Sequence, residues 1–502
     1  MSLIDATLGA QSRIPWRTGL LVVLAVGLAA AMLGDPYTVA VLVALGVATS
    51  AIALLPLTRS LPLLVFLIPF RLYVDLPGTT SLEVALTNFI VVGLGIACLV
   101  GGLLRVRPRL MGWEFALVVW VAWTLASLAW TSEFVASLTG VFRWMMVFSA
   151  ILIASQCLLQ AADPAAAVRR LLIALLCLVG FWSLVGFLEV LLGVDPIFSF
   201  LKSPAAAVFY PPLFLQDRLA ARNFNWLSGN DVQPFGCFLN AIEFGILTAA
   251  GVGSALALAI NRRALAPRWL VLGVLVLATA ANVAAMKGTG WLAAGVAVAI
   301  AFVSLGRSIR RVVGVSLLTM GILALLLYIF RETLIERVQA LAAREGAQGA
   351  AAQALSRPAI WLYYLTALRS HPVTGGGVST AILYGPVHWT LTQGGGTSVA
   401  VVLPTENSYL TTAIETGLVG LALLLTAVVG ALVRGLRLAR RYPDHPLAQA
   451  AGTAAIGLAA ILAGNLTVDA FNGEILGVLM GILIGIVVAA NRLIPRSSGG
   501  TA

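Results

Sequence analysis

Residues 171–193 read LLIALLCLVGFWSLVGFLEVLLG, directly after Arg169 and Arg170. As an α-helix this run rises about 35 Å, more than the roughly 30 Å of a bilayer's hydrocarbon core. It holds one charged residue, Glu189. Backbone polar groups in lipid must find partners within their own segment, so a run of this kind is a membrane-spanning helix. Similar runs cover approximately 18–33, 38–57, 61–76, 84–104, 113–131, 137–158, 235–260, 269–286, 291–306, 312–330, 408–433, 448–467 and 474–491. The composition agrees: 60% of the 502 residues are hydrophobic and 10% charged, with a mean hydropathy of +1.00, far from soluble domains. The expected fold class is all-α, a polytopic integral membrane helical bundle of about 14 transmembrane helices whose long external loops carry short helices. Pro62, Pro69 and Arg71 interrupt the third run, which reads as broken or re-entrant.

Arginine sets the orientation. With the N-terminus inside, every second connection is basic: Arg59, then Arg105, Arg107 and Arg109, then Arg169 and Arg170, then Arg262, Arg263 and Arg268, then Arg307, Arg310 and Arg311, then Arg434, Arg437, Arg440 and Arg441. This is the positive-inside pattern, and it puts both termini in the cytoplasm. The net charge of +11 is largely accounted for by these loops, so no nucleic-acid partner is implied. The chain then divides into an N-terminal transmembrane bundle, 1–330, with an external loop at 194–233; a long external loop, 331–407; and C-terminal transmembrane helices, 408–502. Leu20–Met32 has the shape of a signal peptide, yet spans follow at once, which favours an uncleaved first helix. Cys98, Cys157, Cys177 and Cys237 fall inside spans without ligand spacing and read as core thiols.

The external side carries the polar chemistry. Lys202, Lys287, Arg218, Arg222 and Arg357 all fall there, against the charge rule. Any one of them is as readily a headgroup contact; the set points to an anionic substrate. In the second loop an amphipathic stretch puts Leu334, Val338 and Leu341 on one face. Then come Ser356-Arg357-Pro358, the aromatics Trp361, Tyr363 and Tyr364, and His371-Pro372 before the glycines 375–377. A second glycine triplet, 394–396, precedes Glu406-Asn407-Ser408-Tyr409-Leu410. Glycine triplets suggest mobile loops, and neither is a phosphate loop, since no Gly-Lys-Ser/Thr follows.

The order Ser356-Arg357, Trp361, His371-Pro372 with its glycine turn, Glu406-Asn407-Ser408-Tyr409-Leu410 and Glu415-Thr416-Gly417-Leu418-Val419-Gly420 resembles the O-antigen ligase and O-antigen polymerase superfamily. The likeness is best over the last 150 residues or so. Earlier echoes are Arg143 in the sixth span, Arg222 in the loop before the eighth, and Arg218 eleven residues before Gly229. Lys287-Gly288 stands where that family usually has an arginine-glycine pair. One departure matters: the family's motif usually has a histidine, its proposed base, where this chain has Glu406. Either the glutamate takes over the proton transfer, or the base is His371 or His388, or activity is lost. The first is favoured, because a carboxylate can accept a proton from a sugar hydroxyl.

The resemblance implies an enzyme that takes a glycan from undecaprenyl diphosphate and joins it to another glycan's hydroxyl, outside the cytoplasmic (inner) membrane of a bacterium. The implied partners are the lipid-linked oligosaccharide, a glycan acceptor, membrane lipids, and a chain-length regulator or export machinery. The implied catalytic residues are Glu406, Arg357 and Arg222. Arg218, Lys287 and Arg143 would hold the diphosphate, with Asn407, Tyr409, Trp361 and His371 at the substrate; no metal and no cofactor are expected. A guanidinium fork matches phosphate oxygens and stays charged, so arginines can do a divalent cation's work on the leaving group. The missing histidine favours a polymerase of exopolysaccharide, capsule or O-antigen over a ligase acting on lipid A-core. Other readings are a lipid-linked oligosaccharide flippase or secondary transporter, for which no inverted repeat is evident, and a peptidoglycan glycan polymerase, whose signature is not evident. Each residue also has a plainer reading: Arg143 snorkelling to the surface, the aromatics forming an interfacial belt, and His371 serving a turn.

Overall fold

The computed structural model describes residues 112–192, 194–203, 241–261, 265–285, 287–305, 357–385, 387–391, 398–402, 405–468 and 474–494, with short pieces between 58 and 98 and single residues 236, 238 and 471. The helices are α1 (Gly112–Ala126), α2 (Phe134–Leu159), α3 (Pro164–Leu192), α4 (Val194–Leu201), α5 (Ala241–Ile260), α6 (Arg268–Ala284), α7 (Gly288–Leu305), α8 (Arg357–Leu368), α9 (Ser408–Arg441), α10 (Pro446–Gly464) and α11 (Glu474–Leu493). Seven described helical stretches are long and apolar enough to cross a membrane, and α6 and α7 are shorter apolar helices. The protein is an all-α, multi-pass membrane protein. The runs expected at 18–33, 38–57 and 312–330, and the amphipathic stretch after 330, lie outside the described residues.

Two short ribbons interrupt the helical pattern. Strands β1 (Tyr73–Asp75) and β2 (Glu83–Ala85) pair antiparallel with Val74 opposite Val84. The third expected span therefore ends earlier, and the fourth starts later, than their apolar runs suggest. Asp75 and the following Pro77-Gly78 are residues that favour leaving a helix. In the second external loop, β3 (Val387–Leu391) pairs antiparallel with β4 (Ser398–Val402), so that loop carries strands besides the expected short helix.

Helix α10 is the axis of the bundle. Its spanning window is wholly buried, and it packs against α5, α7, α9 and α11. Helix α11 lies along α2, and small residues let the two backbones approach: a β-carbon on Gly477 would touch Val147, one on Gly481 would meet Val147 and Ala150, and one on Gly485 would meet Ala154 and Ile151. Close small-residue packing supplies the dispersion contact that association in lipid relies on. Opposite ends of the bundle are tied differently. At the end assigned to the cytoplasm, Arg492 of α11 donates to buried Glu114 of α1 at 3.0 Å, and Arg434 of α9 donates to Asn491. At the other end, called outer here, Thr289 of α7 hydrogen-bonds Thr467, and Ser137 of α2 donates to the Val378 carbonyl at 2.7 Å.

Helix α9 is not one rod. Its 34 residues would rise about 51 Å, far more than a bilayer requires. Gly417, with φ 72° and ψ 177°, breaks it. Backbone freed in this way must be satisfied by protein, and residues 372–377 provide the partners. Gly376 N–H donates to the Ile414 carbonyl and Gly377 N–H to the Glu415 carbonyl, both at 2.9 Å, while Leu418 N–H donates to the Pro372 carbonyl at 2.8 Å. The Trp123 indole of α1 donates to the Thr416 carbonyl at 2.8 Å. Gly375 and Gly377 are buried at φ 70° and 108°. The first glycine triplet is thus a docked plug and not the mobile loop its composition suggests; the second, 394–396, lies outside the described residues. Glu415 sits at the end of the segment before the break.

A β-carbon at position 417 would collide with the Val373 carbonyl and oppose a left-handed backbone. Gly417→Ala is expected to destabilise the protein by about 1–3 kcal/mol, read as a lowered midpoint of thermal unfolding in detergent. Gly273→Ala on α6, where an added β-carbon meets nothing within 4 Å, should leave that midpoint unchanged or raise it.

Candidate functional site

The site is built around the start of α9. Asn407 is its N-cap: the side-chain oxygen accepts from Tyr409 N–H and Leu410 N–H, each at 3.0 Å. This satisfies two of the donors that open any helix. Ser408 is buried; its N–H donates to the carbonyls of Asn465 and Val468, and its hydroxyl bonds the Asn465 side chain and accepts from Phe471 N–H at 3.1 Å. These bonds fasten the start of α9 to the turn that follows α10. Tyr409 adds a bond from its hydroxyl to the Leu462 carbonyl at 2.7 Å and an edge-on contact with Phe471, ring centroids 5.0 Å apart.

Glu406 stands immediately before that cap. It is half-buried and has φ 49°, a left-handed conformation that costs a non-glycine residue something on the order of 1 kcal/mol. It is engaged in an interaction within the protein. Helix α8 lies beside the first segment of α9: Ile360 and Tyr364 pack with Ile414 and Ala381, and the Trp361 indole donates to the Thr405 carbonyl at 2.9 Å. That bond puts Trp361 one residue from Glu406, and Arg357 begins α8 one turn earlier.

Depth along the bundle shows that this arrangement is recessed. On α2, Ser137 touches Val378 of the plug loop, whereas Trp144, seven residues or about 10 Å further in, packs on Phe471. The Tyr409–Phe471 pair therefore lies about 10 Å deeper along α2 than loop 377–380. Arg143 lies at nearly that depth. It is three residues from Gly140, whose α-carbon faces Ser379 and Val378, so it shares the helix face directed at the plug. Its guanidinium is exposed and makes no hydrogen bond or ion pair among the described residues. Lys287 lies across the turn: half-buried, it precedes Gly288 and Thr289, and Thr289 bonds Thr467. Asn282, at the end of α6, secures that corner by donating to the Gly245 carbonyl at 2.8 Å and to Thr248 at 3.1 Å.

The structure thus places Glu406, Asn407, Tyr409, Trp361, Arg143, Lys287 and the start of α8 at the same end of the bundle, with Ser408 and Tyr409 bonded to residues 462–468 and to Phe471. It keeps His371 apart from them. That residue is exposed at the outer rim beside Gly417, separated from Glu406 by the first segment of α9, about 13 Å of helix. His388 lies in β3. Arg218, Arg222 and Asp469 fall outside the described residues. Sequence reasoning missed Ser408, Thr467 and Thr289, the small polar residues that join the three walls. The Asn-Ser pair before an apolar run is a readable helix start, but nothing local discloses a hydroxyl's partner sixty residues away.

These features define a multi-pass membrane protein with polar and basic residues gathered at one end of its bundle. A family model described as O-Antigen ligase matches residues 273–425; no curated protein matches the chain. Over these residues, about a third of the chain, it is similar to the O-antigen ligase family. The matched residues include Lys287, Arg357, Trp361, His371, Glu406, Asn407 and Tyr409, as well as the Gly417 break.

If Asn407 serves α9 as a cap, Asn407→Ala should cost about 1 kcal/mol while Asn407→Asp leaves stability nearly intact. Thermal unfolding of the two variants in the same detergent decides it; equal losses would assign the asparagine another task.

Proposed function

We propose that this protein is a membrane glycosyltransferase that polymerises undecaprenyl-diphosphate-linked glycan repeat units, for exopolysaccharide, capsule or O-antigen, on the external face of the bacterial inner membrane, with both termini cytoplasmic. What supports this reading is that half-buried Glu406 stands at the same end of the bundle as Arg143 on α2, Lys287 at the α6–α7 corner and Arg357 opening α8.

In the proposed reaction the acceptor hydroxyl attacks the anomeric carbon of the lipid-linked glycan. Glu406 takes the hydroxyl proton as the new glycosidic bond forms. The bond from the anomeric carbon to the phosphate oxygen breaks, and undecaprenyl diphosphate leaves with the electron pair. Negative charge on that leaving group is held by Arg357 and Arg222, with Arg218, Lys287 and Arg143 on the outer phosphate oxygens. Trp361, Asn407, Tyr409 and His371 lie along the path of the sugars; of these, Asn407 and Tyr409 already have their polar atoms engaged by protein and shape the wall, whereas His371 stands at the rim where an acceptor chain would pass. A chain-length regulator or export machinery would take up the product. The second reading, a ligase moving finished polymer to lipid A-core, uses the same chemistry with a different acceptor.

Glu406→Gln removes the base and keeps the size, so transfer of purified lipid-linked substrate should fall by about a hundredfold or more, with membrane insertion unchanged. Full activity of that variant would refute the proton-transfer role. Arg357→Ala should be equally inactive and equally well inserted, and a chelator should leave the rate of wild type unaltered. Polysaccharide gels from a strain lacking the protein separate the readings: single repeat units left on the lipid carrier indicate a polymerase, unattached full-length polymer a ligase.

A further inference from the structure

Helix α8 is too apolar for the aqueous loop in which its position in the sequence puts it. No charged residue stands between Arg357 and Arg369. One face is buried, through Ile360 and Tyr364, on Ile414 and Ala381. The opposite face carries Leu362 and Leu365, 66% and 46% exposed. A helix that is apolar all round needs cover all round, and α9 covers one side.

The bare surface extends past α8 in two directions. Ile382 and Leu383, 55% and 53% exposed, follow Ala381, which is anchored in the same small core as Tyr364. Val373, 57% exposed, follows Pro372, whose carbonyl binds Leu418 N–H. Leu418 is itself 51% exposed and opens the spanning part of α9. The patch is therefore continuous with a lipid-facing wall, and apolar patches of this extent mark interaction surfaces.

We propose that the face of α8 bearing Leu362 and Leu365, together with Val373, Ile382 and Leu383, is seated in the outer leaflet of the membrane that the bundle spans, with Arg369 at the headgroup phosphates. The 12 residues of α8 rise about 18 Å, too little to cross a core of roughly 30 Å, so the helix lies within the interface. Its Tyr363, 49% exposed beside Leu362, is a residue that belongs at that depth. Arg369 is exposed, and its side chain makes no hydrogen bond or ion pair among the described residues, which leaves it available to an anionic lipid.

The test uses wild-type protein in nanodiscs of phosphatidylglycerol and phosphatidylcholine carrying a diazirine on the acyl chain. After photolysis, adducts are mapped by mass spectrometry. Adducts on 358–369 and 373–383 at yields comparable with those on 418–433 support the proposal. Adducts on 418–433 with none on 358–383 overturn it and leave this face to water or to another protein. With a headgroup-proximal diazirine, Arg369→Gln should reduce the preference for phosphatidylglycerol by up to about fivefold; an unchanged preference overturns the assignment of Arg369. Neither readout depends on glycan transfer, so failure here and failure of the polymerase reading are distinguishable.

Discussion

The outer half of this protein depends on four hydrogen bonds at a broken helix. A bilayer-embedded backbone cannot leave carbonyls and amides without partners, so the turn at Gly417 exists only because a distant segment supplies them. Pro372, Gly376 and Gly377 meet Leu418, Ile414 and Glu415, and Trp123 takes the Thr416 carbonyl. None of these partners stands near Gly417 in sequence. Once made, the bonds hold the plug loop in place and set the direction of the short segment that leads back to Glu406. Helix α8 fits the same geometry, for it ends close to where the plug begins and packs along that short segment.

The break also explains how an ionisable site is accommodated next to lipid. A straight α9 would carry residue 406 well beyond the membrane. Redirected at Gly417, the chain reaches the turn after α10, where Ser408 and Tyr409 are fastened from several sides. Glu406 then adjoins a fixed turn, while Arg143 and Lys287 arrive on helices that take no part in the break. Buried charge in a membrane protein usually serves function because its cost is otherwise unrecovered. Here the cost is moderated by exposure, since Arg143 is not enclosed by the bundle.

Much of the fold was legible, because hydrocarbon imposes a length and polarity rule that ordinary sequence obeys. The run at 171–193 located α3, although the helix begins at Pro164, where Asp163 accepts from the N–H groups of Ala165 and Ala166. That Asp-Pro start is a readable signal lying in water, outside what an apolar window detects. The ribbon at Tyr73–Asp75 was not legible, since three residues of strand fit inside an apolar run as easily as a helix does. The segments that carry Arg357 and Glu406 were readable, one as Ser-Arg-Pro before an aromatic run, the other as Asn-Ser before an apolar run. The left-handed backbone of Glu406 was not, because no glycine announces it. Gly417 stood in plain view within a motif, yet a glycine among apolar residues does not reveal that its dihedrals are left-handed until its partners are known.

The seam between α2 and α11 has a consequence for sites far from it. Gly477, Gly481 and Gly485 let the two backbones touch, and the same two helices carry Arg143 and, just before α11, Phe471. A methyl group added anywhere along that seam works as a wedge whose displacement is delivered at the outer end, altering the gap between Arg143 and Phe471. The dimensions there are in this sense encoded by residues that have no side chains, in the middle of the membrane, out of reach of any substrate.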